Sequence, residues 1–522
     1  MHSITTSVAG PGAPLDHFWS RCVGAGRANE GLRAGWLEQL DLCVKECGFE
    51  YIRFHGLFHD DMFVYREENG TPRHLWHYVD ELFDRLLDMG IRPFVEFGFF
   101  PGDMSHDNGT CFWWKGHGTP PESLDAWAAL VTAFMEHCRA RYGTEEVRRW
   151  YFEVWNEPNL KGFWNSTQER YFELYRVTAL SVKAIDPLLR IGGPATSSFW
   201  SSRWTVRPKG DQALTPETVD GDDVEGVWIK EFLAFCEKEK LPVDFVSAHP
   251  YPTSFPIHSS GEYMEMSRLL GSTARDLRWL RSAMAQTRYA DAELHCTEWS
   301  SSPSVQDHAH DYPQAATYVV AANLQSIGQA QSLSYWTFTD IFEEAGAGNS
   351  VFHGGFGMIN FQGIVKPVFH AYRMLHRLGD VLLHRDACCI VTRHSSTGRI
   401  TCLLYHYPPE IASATPISKG SRDIAETTLA AGSPVEMRIN LTDLPPHAEF
   451  AIETLDAQHG FALREWQKMG SPEPPSREQA AELRRSALKL KSESARADAA
   501  EKLSATMTLA PWAVACIDQK PC

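Results

Sequence analysis

The sequence predicts an α/β protein: a (β/α)8 TIM barrel with an appended C-terminal β-sandwich and a small helical insertion. Three observations carry this. At 522 residues the chain is too long for one ordinary core. From about residue 20 to 380, short β-rich runs that end in polar or Gly-Pro residues alternate with amphipathic helical stretches. After about residue 380 the texture changes to short strands separated by turn residues.

The strand candidates are 21–25 (RCVGA), 51–56 (YIRFHG), 92–99 (RPFVEFGF), 150–157 (WYFEVWNE), 190–194 (RIGGP), 244–251 (DFVSAHPY), 293–299 (ELHCTEW) and 333–340 (LSYWTFTD). Between them, stretches such as GWLEQLDLCVKECG, YVDELFDRLLDMG, SLDAWAALVTAFMEHCRARYG, ERYFELYRVTALSVKAIDP, VWIKEFLAFCEKEK and PQAATYVVAANLQSIGQA repeat apolar residues every three or four positions. KPVFHAYRMLHRLG supplies the eighth helix. Strand–helix repeated eight times means parallel strands with right-handed crossovers, and its closed form is the barrel. An open doubly wound sheet is the competing topology, but no G-x-G-x-x-G follows the first strand.

The barrel is assigned to residues 15–350, and residues 1–14 plus 351–522 to the sandwich. SITTSV near the N-terminus is a candidate sandwich strand. A charged, helix-prone segment near 474–503 reads as a surface helical insertion with a solvated face and no function of its own.

A net charge of −17 argues against nucleic-acid and anionic-membrane partners, since phosphate binding needs concentrated Lys and Arg. It fits a soluble protein acting on neutral ligands. No run reaches the roughly 20 apolar residues that span a bilayer. The first residues lack a basic region followed by an apolar one. The expected location is cytoplasmic, or periplasmic or secreted if a signal was removed. The 12 cysteines are scattered, with one adjacent pair at Cys388 and Cys389 and no C-x-x-C. They read as free thiols in a reducing compartment. His308 and His310 flank one Ala without a third ligand, so neither a metal nor a cofactor is expected. The 17 Trp, 16 Tyr and 28 Phe suit sugar faces as well as cores.

Chemistry in such a barrel sits at the C-terminal ends of the strands. Glu157 ends the fourth candidate strand and Glu298 the seventh. Strands four and seven lie across the mouth from each other, so the two carboxylates can face one another. Glycoside hydrolysis needs such a pair: about 5–5.5 Å apart for retention through a covalent intermediate, about 6.5–9.5 Å for inversion.

WNEP at the fourth strand and the second Glu at the seventh resemble the 4/7 superfamily of retaining glycosidases. HFWSRCVGAGRANEGLR, YIRFHGLFHDDM, FWWKGHGTPP, WYFEVWNEPNLKGFW, FVSAHPYPT, YWTFTDIFEE, FHGGFGMIN and KPVFHAYRMLHRLG are similar to the β-xylosidase branch of glycoside hydrolase family 39. This resemblance spans nearly the whole chain. It implies Glu157 as acid/base and Glu298 as nucleophile, with Asn156 on the sugar 2-hydroxyl and Tyr251 donating to the nucleophile. It also implies His249 on sugar hydroxyls, Trp336 as the pocket floor, Glu343 accepting from outer hydroxyls, Arg53 and His55 flanking the pocket, and Trp113 walling it. Spacing alone does not separate Glu343 from Glu344, or Trp113 from Trp114. The implied activity is release of xylose from the non-reducing end of xylo-oligosaccharides by double displacement. The alternatives are α-L-iduronidase, β-glucosidase, β-galactosidase, or a non-catalytic carbohydrate-binding barrel.

Overall fold

The structure is a computed structural model that describes residues 2–105, 109–200, 224–254, 266–411, 415–418 and 420–521. Eight parallel strands close into a barrel: β1 (Cys22–Arg27), β2 (Tyr51–His55), β3 (Arg92–Phe97), β4 (Tyr151–Val154), β5 (Arg190–Ser197), β6 (Phe245–His249), β7 (Glu293–Trp299) and β8 (Ser332–Tyr335). Closure is made where Tyr335 of β8 pairs with Val23 of β1. Every strand candidate falls on one of these strands. Several pair for less than the expected length: β4 stops at Val154 and β8 at Tyr335. The residues beyond them turn up into the mouth instead.

The helices that cover the barrel are α1 (Ala34–Cys47), α2 (His77–Asp88), α3 (Asp125–Tyr142), α4 (Gln168–Ile185), α5 (Ile229–Lys238), α6 (Ser272–Met284), α7 (Pro313–Gln325) and α8 (Pro367–His376). Local signals set their ends. Gly48 terminates α1 in the left-handed conformation, at φ 71°. Thr167 caps α4 by accepting from the Arg170 N–H, and prolines open α7 and α8. Helix α6 is not among the quoted sequence stretches. Arg275, Arg278 and Arg281 dilute its apolar pattern, yet Leu277, Leu280 and Met284 are buried.

The second unit contains a seven-stranded sheet and a three-stranded sheet. The N-terminal strand His2–Ser7 pairs in parallel with Val435–Thr442 in the smaller sheet. The larger sheet is buried on both faces, with alternate residues going to different cores. Ile390, Leu403 and Cys516 pack into the barrel's core, while Cys389, Val391, Cys402, Leu404 and Ile517 pack against the smaller sheet.

The 474–503 segment is not one helix. Its helical part is Arg477–Ala487. Lys491–Arg496 then pairs with Glu449–Leu455 as a strand of the large sheet. Nor is that helix merely a solvated face, because Leu483 and Ala487 are buried and the Ala487 carbonyl lies 2.8 Å from His370 Nε2 on α8. Helix α8 itself belongs to the barrel's ring although it lies beyond residue 350, the expected boundary.

Candidate active site

The barrel interior is layered, as period-two strands require. Cys22, Tyr51, Phe94, Tyr151 and Phe245 form an aromatic floor, completed by His295, 4.6 Å from Tyr151 between ring centres. Two residues along each strand the layer turns polar. The buried Arg53 guanidinium is held by Glu153 at 2.6 Å and Glu96 at 3.0 Å. It also donates to Asn156 Oδ1 at 2.8 Å and lies 3.5 Å from Glu298. A charge removed from water needs such partners on every side.

Above this layer stand the two carboxylates. Glu157 lies just past β4 in the left-handed region, at φ 43°, and its N–H donates to Ala195 O on β5 at 2.9 Å. Glu298 reaches the mouth by a different device. Strict alternation along β7 would send Thr297 inward and Glu298 outward. The β7–β8 register slips between Cys296 and Trp299, and such a bulge re-aims side chains. Both residues point inward: Thr297 donates to Glu153 at 2.8 Å, and Glu298 accepts from the Tyr251 hydroxyl at 2.6 Å. One donor atom each of Glu157, His249 and Glu298 lies within 4.8 Å of the other two. The nearest oxygens of the two carboxyls are thus within 4.8 Å, which fits the shorter, retaining geometry. The same three donors could grip a divalent cation, but the chemistry they frame needs none.

The hydrogen-bond chain locates a proton. The Thr297 hydroxyl is committed to Glu153, so towards His249 Nε2, 3.1 Å away, its oxygen can only accept. Nε2 then carries the hydrogen and Nδ1 is a bare lone pair. Nδ1 lies 2.8 Å from Glu157 Oε1, and Glu157 must supply the proton between them. The electrostatics agree. Burial pushes the Glu157 carboxyl up to about 7 and the His249 imidazolium down to about 4. Burial also raises Glu298, with the Glu157 charge adding to the rise and His249 and Arg53 opposing it.

His55 is buried with Nδ1 2.6 Å from Glu96, its ring 4.9 Å from that of Trp336 and stacked on Phe112. Trp336 is buried beneath the mouth, and Gly24 makes room for it, since a Cβ there would collide with the indole.

Two of the residues expected on the outer wall are placed differently. Both oxygens of Glu343 are taken, by Arg27 and Arg33 at 2.7 Å each, which turns it away from the carboxylates. Glu344 is the residue that faces them. It is half-buried 3.6 Å from His55 Nε2, and desolvation together with Glu298, Glu30, Glu157 and Glu96 raises its carboxyl well above the usual range. Trp113 is 61% exposed at the rim, where its N–H donates to Glu344 O at 2.7 Å. Trp114 is buried against Phe99, Phe112 and His59. The ring stacked on His55 belongs to Phe112, which sequence reasoning passed over, as it did Glu96, Glu153 and Thr297. The acids carried a usable signal: each interrupts an otherwise apolar strand, FVEF and YFEV, at an inward position.

A (β/α)8 barrel that holds one carboxyl past strand four and another on strand seven, both buried and with an oxygen of each within 4.8 Å of the other, defines a glycosidase. The chain belongs to glycosyl hydrolases family 39, whose pattern matches residues 2–502. It is 36% identical to a β-xylosidase of Geobacillus stearothermophilus, over 88% of this chain and 84% of that one. It is 35% identical to a β-xylosidase of Caldicellulosiruptor saccharolyticus, over 90% of this chain and 88% of that one. Its fold superposes on a monomeric β-xylosidase from Caulobacter crescentus CB15 with a TM-score of 0.86, at 32% identity and with both chains fully covered.

Proposed function

We propose that the protein is a retaining β-xylosidase that removes xylose from the non-reducing end of xylo-oligosaccharides, a step of xylan breakdown. Glu298 is the nucleophile and Glu157 the acid/base. The observation that carries this reading is the Glu157–His249 hydrogen bond, in which the geometry requires the proton to sit on Glu157. Glu157 donates that proton to the glycosidic oxygen as Glu298 attacks the anomeric carbon, giving a glycosyl ester. Glu157, now a base, activates the water that cleaves it. Tyr251 orients Glu298 through its 2.6 Å hydrogen bond, and Arg53 holds Asn156 in place for the 2-hydroxyl. Trp336 offers the sugar an apolar face, and Glu344 accepts from its outer hydroxyls.

The charge around the pocket supports a neutral sugar. A uronic acid needs a cation for its carboxylate. Arg53 is already committed to Glu96, Glu153 and Asn156, Arg27 and Arg33 are taken by Glu343, and the Glu298 carboxylate would repel a further anion. The eleven described cysteines are all free, which favours a reducing compartment. No described helix is long and apolar enough to cross a membrane.

A 2-fluoro-β-xyloside with a good leaving group tests mechanism, nucleophile and sugar together. The expected result is a stable adduct on the peptide containing Glu298. An adduct elsewhere, or trapping only by the glucoside or iduronide analogue, sinks the assignment.

A further inference from the structure

The reaction leaves unexplained a group of donors about the first residues of the chain. His2 Nε2 lies 3.0 Å from Asp386 Oδ2, and His384 Nε2 lies 3.3 Å from the same oxygen. Cys388 Sγ lies 3.5 Å from Asp386 Oδ1. Donor atoms of His2, Asp386 and Cys388 all fall within 4.8 Å of one another. None of these residues takes part in the carboxylate site.

We propose that His2, His384, Asp386 and Cys388 form a binding site for a divalent d-block cation of the zinc type, which clips the N-terminal strand to the large sheet. Two imidazoles, a carboxylate and a thiolate are a donor set that zinc accepts. The spacing suits it too. In a tetrahedron with metal–ligand bonds of about 2.0–2.3 Å the ligand atoms are about 3.3–3.8 Å apart; the donors of His2, Asp386 and Cys388 already lie within 4.8 Å of one another, and His384, 3.3 Å from Asp386, completes the set by a side-chain rotation.

The frame is built before any ion arrives. Strands Val381–Arg385 and Cys389–Arg393 form a hairpin whose turn carries Asp386 and Cys388. The Asp386 N–H donates to Cys389 O and the Cys388 N–H to Asp386 Oδ1, both at 2.9 Å. The Asp386 carboxylate is framed by the Cys388 N–H and by both histidines. The adjacent Arg385 does not compete, because its guanidinium donates to Leu324 O at 2.8 Å. Cys388 brings a thiol beside Asp386. Binding therefore replaces its S–H bond with an S–metal bond and releases the proton to solvent.

The consequence is mechanical. His2 and Asp386 are 384 positions apart and lie on different sheets of the sandwich. A clip between them closes a very long loop in the unfolded chain and stabilises the folded state by linkage.

The test uses the full-length protein with Co2+ and Zn2+ alone. Wild type should retain one Co2+ per chain and show a sulfur-to-cobalt charge-transfer absorption. Zn2+ should raise its thermal midpoint by several degrees. C388S should lose the charge-transfer band, and H384A should weaken binding at least tenfold. Both variants should hydrolyse aryl xyloside normally, which shows that they are folded. Because Glu157, His249 and Glu298 form a second donor cluster, the titrations are repeated in E157Q. Binding that C388S and H384A leave unchanged, or that E157Q alone removes, overturns the proposal. So does failure of wild type to retain either metal, which would leave His2, His384 and Asp386 as ordinary surface ion pairs.

Discussion

Glu157 holds its proton because water is excluded around it and because His249 offers a lone pair. This has consequences for both rate and stability. The acid form is needed for bond cleavage, so kcat/KM should fall as pH rises through about 7, the value to which burial pushes this carboxyl. E157Q keeps a donor for His249 Nδ1 but cannot transfer a proton. Its rate on natural substrates should drop by about 10²–10⁴ and lose that alkaline limb, with less loss on substrates whose leaving group needs no acid. Stability falls with pH in the same direction, but here E157Q gains where it loses in rate. A carboxyl raised in the folded state above its ordinary 4.5 favours folding below that pH, and the advantage is lost as pH rises through about 7. E157Q should therefore melt higher than wild type at pH 8, with a smaller difference at pH 5. Thermal melts at the two pH values check this. An equal difference at both would mean that Glu157 is not protonated as described.

At the scale of elements, the mouth depends on how strands end. β4 stops pairing at Val154, which frees Asn156 and Glu157 to turn into the pocket. The slip in β7 brings Thr297 and Glu298 to the same side. β8 ends at Tyr335, and Trp336 lies over Gly24 of β1. Gly24→Ala tests that last packing. The added methyl overlaps the indole, and overpacking of this kind costs about 1–3 kcal/mol. The displaced Trp336 should raise KM and lower kcat/KM at least tenfold for aryl xylosides while the variant still folds. Unchanged kinetics would remove Trp336 as the sugar's floor.

At the scale of the molecule, the large sheet packs one face on the barrel and the other on the small sheet, so the two units share a wall. Trp512 is a fixing point. It is buried, its indole donates to Thr428 O at 2.8 Å, and its carbonyl accepts from Thr317 of α7 at 2.6 Å. Calorimetry should show barrel and sandwich melting in one transition. W512A should lower it by the equivalent of about 3–5 kcal/mol, the usual cost of emptying a buried Trp site. Two resolved transitions in wild type would show that the units unfold independently. The barrel was legible in the sequence because eight buried parallel strands and seven of their covering helices leave strong periodic patterns. The α6 helix escaped because its arginines mask its buried face. The helical reading of 474–503 was too long because charge and helix propensity say nothing about the sheet edge that captures Lys491–Arg496.

By itself the sequence determined the architecture and singled out the proposed pair: Glu157 and Glu298 stand out because strand order puts ends four and seven across one mouth. The tertiary structure alone decided what neighbours in sequence cannot reveal. Arg27 and Arg33 capture Glu343, so Glu344 faces the carboxylates. The ring stacked on His55 is Phe112, while Trp113 stands exposed at the rim. The gap between the carboxylates, and the proton on Glu157, depend on a bulge in β7 and on a hydroxyl of Thr297 committed elsewhere. Periodicity encodes which face of an element is buried. Direction at a strand's end is set by partners hundreds of residues away, and those exist only once the chain has folded.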